Sequence, residues 1–489
     1  MKTVWLLFFV FSALSLWGTE ISLPKTDSLD VVLVKNNSGL FYDSLATKAS
    51  RHKFTKWLYD WMITSEVKTD SIDLISYEYY KTFENKTISS IAIKSLDVFG
   101  PDFVDTSKTT NIWIEQLANK LHSKSNLSVI RKNLWIKEGQ PLDPNLVMDN
   151  ERLLRSLPYL KDVRIIVKPQ TFNPDLVDIL ILTKDVFSFG VSGNMGDIKH
   201  GELEIYDKNI LGIGHEIGTK LIAHTDKTPH VGFEVFYAIN NLKGNFINFS
   251  AGYASNYLRK GFFISLDRDF LRPKSVYAGG LTVYRNFRSD RINMNDNVTV
   301  DFPLNYLFLD GWYGRRLKLG INPSDNRFQM TLSGRIRYAS FYDRPLPDIN
   351  NKQYFANSTF YLGSLSFSRR SYVRDYLVYS YGITEDIPKG YLHELVFGYD
   401  HNEFGDRWYT HAYLSTGNLF NRKPFYFFTS VGFGAFWKSE GLEEGMADFK
   451  INFISPLFNV WNTKSRQFIK LNYTLGINRF DIENLLLRN

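Results

Sequence analysis

The chain has 489 residues, a net charge of +7 and no cysteine, which excludes disulfides, thiolate nucleophiles and zinc–thiolate centres. Its charges are mixed rather than blocked, so it lacks the basic run of a nucleic-acid surface, and no nucleic-acid partner is expected. Aromatic residues make up 16 % of it while mean hydropathy is only −0.23, a pairing that suits segments polar on one face and apolar on the other.

Residues 1–18 carry Lys2, an apolar run over 4–14 and small residues near Ser15 and Gly18, the pattern of a secretory signal peptide. The run is short for a bilayer span. Residues 19–85 read as a small exported N-terminal extension that precedes the first folded module. Leu45, Phe54, Trp57, Leu58 and Trp61 fall at loosely helical spacings, and 77–80 reads as a short strand.

Residues 86–185 read as a small α+β module. A strand covers 87–98. A helix covers 111–123, with Ile112, Ile114, Leu117 and Leu121 as its apolar residues. A mixed segment over 129–136 ends at the turn Glu138-Gly139-Gln140-Pro141. Asp143 is then an N-cap with Pro144 at the first helical position. This second helix runs to about Leu157 and buries Leu146, Leu153, Leu154 and Leu157. Strands over 163–169 and 176–183 complete the order β-α-α-β-β.

From 186 to about 480 the chain alternates with period 2. Phe328, Met330, Leu332, Ile336 and Tyr338 oppose Arg327, Gln329, Thr331, Ser333, Arg335 and Arg337. Segments around 231–237, 247–253 and 469–478 repeat the pattern. A soluble sandwich also alternates. Long persistence, several charges on one face, and aromatics at segment ends (Tyr284, Phe287; Tyr338, Phe341, Tyr342; Trp408, Tyr409) favour an antiparallel transmembrane β-barrel. About sixteen candidate strands can be marked. Arg327, Arg335 and Arg337 would face the lumen.

Three runs carry a resemblance. These are Ile136-Lys137-Glu138-Gly139-Gln140-Pro141; Asn150-Glu151-Arg152-Leu153-Leu154-Arg155-Ser156-Leu157-Pro158-Tyr159-Leu160; and Val177-Asp178-Ile179 with Lys184-Asp185-Val186. Together they resemble a polypeptide-transport-associated (POTRA) domain of the BamA/TamA-like outer-membrane protein assembly factors. Asp207-Lys208-Asn209-Ile210-Leu211-Gly212-Ile213-Gly214-His215 and the segment 382–390 resemble the Bacteroidota type of that family. The resemblance implies a POTRA-like domain leading into a barrel of about 16 strands. It implies an outer-membrane location with the N-terminal domains in the periplasm. Its partners would be unfolded outer-membrane protein clients, outer-membrane lipids, and accessory periplasmic lipoproteins or chaperones. The family's Arg-Gly-Phe/Tyr lumen-loop motif and aromatic final strand are absent, so the expectation is a barrel without its C-terminal part, or one that closes differently.

No catalytic constellation stands out, and no enzyme activity, metal or cofactor is expected. There is no His-Glu-x-x-His, Gly-x-Ser-x-Gly or phosphate loop. Glu385 and Asp386 read as turn residues. Asp267 and Asp269 share a face and read as part of a lumen salt-bridge network. Client strands are expected to pair with a module edge formed by Val163 and Ile165, or by Val177, Ile179 and Ile181. They would then enter the bilayer at a gate strand containing Phe187, Phe189, Gly190 and Val191. Gly190 and Gly193 either weaken that strand or make room for neighbours. The alternative is a passive channel or secretion pore, with the three arginines favouring anions.

Overall fold

Strands form where the sequence alternates, and the main question is which way each apolar face points. In the computed structural model the described residues are 77–479, apart from 104, 197–198, 272–274, 294–298, 318–326, 345–354, 377, 380–382, 421–424 and 461–462. All of these but 459–460 and 463–464 belong to the larger of the chain's two structural units, Ser65–Phe458 with Ser465–Asn489. The expected signal peptide and most of the expected extension, including its helix, lie outside the described residues.

The α+β region begins earlier than 86. Tyr77–Lys81 is a helix (α1), not the expected strand, and its Tyr80 is fully buried in the core of this region. Then follow Thr87–Leu96 (β1), Trp113–Leu121 (α2), Leu127–Lys132 (α3), Pro144–Arg155 (α4), Leu160–Pro169 (β2) and Leu176–Asp185 (β3). The segment read as mixed therefore contributes the third helix, α3. Asp143 caps α4 as expected, accepting from Asn145 N at 3.0 Å and Leu146 N at 3.3 Å. The sheet order is β1-β3-β2, with β1–β3 parallel and β2–β3 antiparallel. Val177, Ile179 and Ile181 on β3 meet Ile165 and Val167 of β2 beneath Val147 and Leu154 of α4. Burying each such side chain contributes about 1.5–3 kcal/mol.

The second region is a single antiparallel sheet of 15 strands among the described residues. Its first half comprises Phe189–Met195 (β4), His200–Asp207 (β5), His215–His224 (β6), Val231–Ile239 (β7), Asn248–Ser255 (β8), Arg259–Arg268 (β9) and Tyr277–Asn293 (β10). The second half comprises Thr299–Leu317 (β11), Phe328–Asp343 (β12), Ser358–Tyr376 (β13), Thr384–Asn402 (β14), Arg407–Phe420 (β15), Phe425–Lys438 (β16) and Gly441–Ile454 (β17). Phe458–Val460 (β18) and Thr463–Ser465 (β19) form a separate ribbon, and Phe468–Ile477 (β20) ends the sheet beside β17. Consecutive strands are neighbours throughout, and β4 and β20 are the two ends. The sheet does not close among the described residues.

Register fixes its two faces. Leu203, Leu221 and Phe233 stand directly opposite one another on β5, β6 and β7, and all are exposed. Leu332 and Ile336 on β12 and Ile469, Leu471 and Tyr473 on β20 are exposed as well. On the other face Glu204, Lys220 and Glu234 stand opposite one another with alternating sign, which favours the pairing. Apolar outside and charged inside inverts the address of a soluble sheet. The aromatics expected as a girdle divide between the faces. Phe287, Tyr338, Tyr342 and Trp408 are exposed. Tyr284 packs on Tyr306, Phe341 on Phe355, and Tyr409 on Phe360 and Phe436.

Among the described residues no helix is long and apolar enough to cross a membrane, which says nothing of strands.

Candidate functional site: a locked α+β region and a free first strand

Among the described residues, the contacts that tie the α+β region to the sheet include three polar ones. The first is ionic and centres on Arg155 at the end of α4. Its guanidinium donates to both carboxylate oxygens of Asp386 on β14, at 2.7, 2.9 and 3.1 Å, and also to Glu151. Arg374 of β13 reaches Glu151 Oε2 at 3.1 Å, and Thr384 of β14 donates to Asp162 at 3.2 Å. Arg152 lies 3.9 Å over the Tyr372 ring. Burial alone would lower the Arg155 pKa, but Glu151 and Asp386 hold it above its ordinary value. Burial raises the Asp162 carboxyl, and Arg155 offsets part of that. Asp386 is thus a strand residue anchoring the α+β region, not a turn residue. Glu385, on the opposite face, accepts the backbone N–H groups of Val378 and Tyr379 at 2.6 and 2.8 Å.

The other two contacts are turns of one design. Asn209 and Asn241 open the β5–β6 and β7–β8 turns. Each side-chain oxygen accepts an N–H five residues on, from Gly214 at 2.8 Å and Phe246 at 2.6 Å. Each amide nitrogen then reaches the loop at one end of α3: Asn209 to Ser125 Oγ at 2.9 Å, Asn241 to Asn133 Oδ1 at 2.8 Å. Positive φ recurs at matching places, Leu211 with Lys243, Gly212 with Gly244, and Gly214 with Phe246. A Cβ on Gly212 would sit 2.1 Å from the Lys124 carbonyl oxygen, so glycine is required there. The first of these turns is the motif noted over 207–215. The second repeats Asn-apolar-x-Gly, a signal that the sequence holds and that a search for period-2 strands passes over.

The expected client-pairing edges are corrected. β3 is the central strand, so Val177, Ile179 and Ile181 are not at an edge. β2 is an edge, but its outward backbone is occupied. Tyr79 Oη donates to Val167 O at 2.6 Å and accepts from Val167 N at 3.3 Å. Ile165 N donates to Glu151 Oε2 at 3.2 Å, while the Ile165 carbonyl lies 2.8 Å from Tyr80 Oη. Val163 N donates to Asp162 and Val163 O accepts from Arg155. Side chains of α1 and α4 thus stand where a guest strand would pair with Val163 and Ile165. Burial, and then the Glu151 charge, push the Tyr80 phenol well above its ordinary range.

The four residues expected to form a gate strand divide between β4 and the segment before it. Phe187 precedes the strand and packs between Phe99 and His122, with ring centroids 6.3 Å from each. It belongs to the hinge, where buried Asp185 meets His122 at 3.2 Å and accepts Ser125 N at 2.6 Å. Phe189, Gly190 and Val191 do lie on β4, and Phe189 and Val191 are exposed. β4 pairs with β5 alone among the described residues. Gly190 makes room for a neighbour: its Cβ would meet the Tyr206 ring at 2.3 Å. Gly193 has no such neighbour, its nearest being the Glu202 carbonyl at 3.7 Å.

Of the arginines expected to line the lumen, Arg335 and Arg337 share a face and an acidic partner, and Arg327 turns to α4. Arg335 donates to Asp310 at 2.8, 3.1 and 2.5 Å, and Arg337 Nε lies 3.5 Å from the same carboxylate. Arg327 donates to Asn145 of α4. Pairing depends on the β11–β12 register, which places Asp310 opposite Arg337. A cavity of about 520 Å³ opens on the inner face of the early strands, lined by Glu204, Glu216, Lys220, Glu234 and Arg259. Among the described residues no group of three or more His, Cys, Asp or Glu could hold a metal.

No protein-family model matches the chain. Solved structures that it overlaps include BamA from Haemophilus ducreyi lacking POTRA domains 1–3 (12 % identity, 80 % of this chain and 72 % of that one, TM-score 0.31). CdiB from Escherichia coli overlaps at 9 % identity, over 80 % of this chain and 65 % of that one, with a TM-score of 0.39. CdiB from Acinetobacter baumannii does so at 8 %, over 80 % and 70 %, with a TM-score of 0.31. Superpositions this loose carry no argument.

Proposed function

We propose that the chain is a non-enzymatic outer-membrane factor that inserts, assembles or translocates other outer-membrane proteins. The observation that carries this is β4. It is short, paired on one side only among the described residues, rooted in a fixed hinge, and at the end of a sheet whose apolar side chains face outward. An unpaired backbone edge within a bilayer costs several kcal/mol per group, so such an edge is a strong template for a guest strand. We read the α+β region as a POTRA-type periplasmic domain that holds β4's root in place. Client strands pair with β4 rather than with β2 or β3. A passive channel or secretion pore is the second reading, and Arg335 and Arg337, which share Asp310, are the residues it would draw on.

The test is depletion of the protein followed by quantitative profiling of the outer membrane. A joint fall of many barrel proteins is the expected result. An unchanged profile, or a change confined to one cargo, overturns the reading.

A further inference from the structure

Helix α2 is built inside out. The residues it turns inward are polar or small. Asn119 exchanges hydrogen bonds with the backbone of Phe99, donating to its carbonyl at 2.8 Å and accepting its N–H at 3.1 Å. Glu115 takes the Thr110 hydroxyl, and His122, just past the helix, meets Asp185. Trp113, Leu117 and Leu121 fall one turn apart and point away from the core, 72 %, 45 % and 72 % exposed, with Ile114 beside them. No residue of α2 is buried. The apolar residues noted on this helix, Ile114, Leu117 and Leu121, therefore lie on its outer surface.

We propose that this face of α2 lies on the periplasmic surface of the lipid bilayer, with Trp113, Leu117 and Leu121 inserted among the headgroups and upper acyl chains. The proposal rests on reading the sheet's outer face as its membrane face. Continuity between the two surfaces favours lipid over a protein partner. The end of α2 is fastened through His122 to Phe187, two residues before Phe189, the first outward side chain of the sheet. Asn126 N donates to Gly212 O at 2.8 Å, which puts exposed Leu211 of the β5–β6 turn next to the same loop. A tryptophan on an exposed apolar face, with Lys120 in the last turn and exposed Lys108 before the helix, is the composition of an interfacial helix.

Because the chain contains no cysteine, single-cysteine variants can be labelled without ambiguity. The full chain would be labelled with an environment-sensitive dye at Leu117→Cys or Leu121→Cys. It would then be reconstituted into phosphatidylethanolamine–phosphatidylglycerol vesicles carrying a headgroup-proximal spin-labelled lipid. Ile336→Cys, on the sheet's outer face, reports the membrane reading itself. Phe172→Cys, at the far end of β3 and about 30 Å from the hinge by strand length, is the solvent control. The expected result is loss of most fluorescence at 336, 117 and 121, and little change at 172. Quenching at 336 with 117 and 121 no different from 172 overturns the helix proposal and leaves the sheet's reading intact. No quenching at 336 sinks both. Dyes at 117 and 121 that are shielded from aqueous iodide yet untouched by the labelled lipid would show a protein cover, which also overturns it.

Discussion

Ile179 and Ile336 sit in strands of the same alternation, yet one is 1 % exposed and the other 53 %. In the α+β region helices cover the apolar face of a three-stranded sheet. In the larger sheet nothing in the described chain covers it. Period 2 is a statement about strands, and what the apolar face meets depends on what else the chain brings to it. The polar residues follow the same division. Glu151 and Asn150 are buried pins in the first region, while Glu204, Lys220 and Glu234 line an open inner face in the second.

The contrast can be broken at the joint between the two regions. Arg155→Ala leaves Asp386 without its cation and Glu151 with Arg374 alone, and should cost about 3–5 kcal/mol. It should also release the α+β region to protease in the detergent-solubilised full chain. Unchanged protection would mean the ionic contact does not hold the regions together. Next come paired substitutions. Ile179→Ala opens a cavity and should lower stability by about 2–5 kcal/mol, whereas Ile336→Ala trims a half-exposed side chain and should barely move the unfolding midpoint. Equal effects would contradict the outward assignment. Ile336→Arg sharpens the same point, at about 2–4 kcal/mol in bilayers, read as folded fraction on unheated gels. Asn209→Ala orphans the Gly214 N–H and should cost about 1–3 kcal/mol, with Asn241→Ala behaving alike at Phe246. If only one of the two matters, the repeated turn is not a repeated function.

The smallest expected effect is one of pH. Burial holds the Asp162 carboxyl above its ordinary value of 3.8, with Arg155 offsetting part. The folded form then binds that proton more tightly than the unfolded form. The contribution to stability is complete below pH 3.8 and fades as pH rises through the folded value. Asp162→Asn should therefore gain on the wild type between acid and neutral pH in a series of unfolding midpoints. A constant difference across that range would count against the assignment.

Much of the fold was legible because its signals are local. Alternation marked β7, β8, β12 and β20, and Asp143-Pro144 marked the start of α4. What stayed hidden depends on partners distant in sequence. Nothing in 176–183 says that β3 is central, because that follows from β1 returning parallel beside it. The apolar residues of α2 gave no hint of which way they point, because spacing gives a face without a direction. Glu385-Asp386 looked like a turn because Arg155, which makes Asp386 an anchor, is far away in the chain. The pairing of Arg335 and Arg337 with Asp310 needed a register that only the β11–β12 hairpin supplies. Asn209 and Asn241 were within reach, since Asn-apolar-x-Gly occurs twice, but a turn motif gives no hint that its amide points at another part of the protein.

The three attachments have a kinematic consequence. Ser125, Asn133 and Arg155 belong to different parts of the α+β region, and each is tied to a different part of the sheet. Three supports that do not fall on one line remove every rocking freedom of a rigid body, as the legs of a tripod do. The α+β region cannot tilt without lifting a foot, and the Arg327–Asn145 hydrogen bond adds a further support.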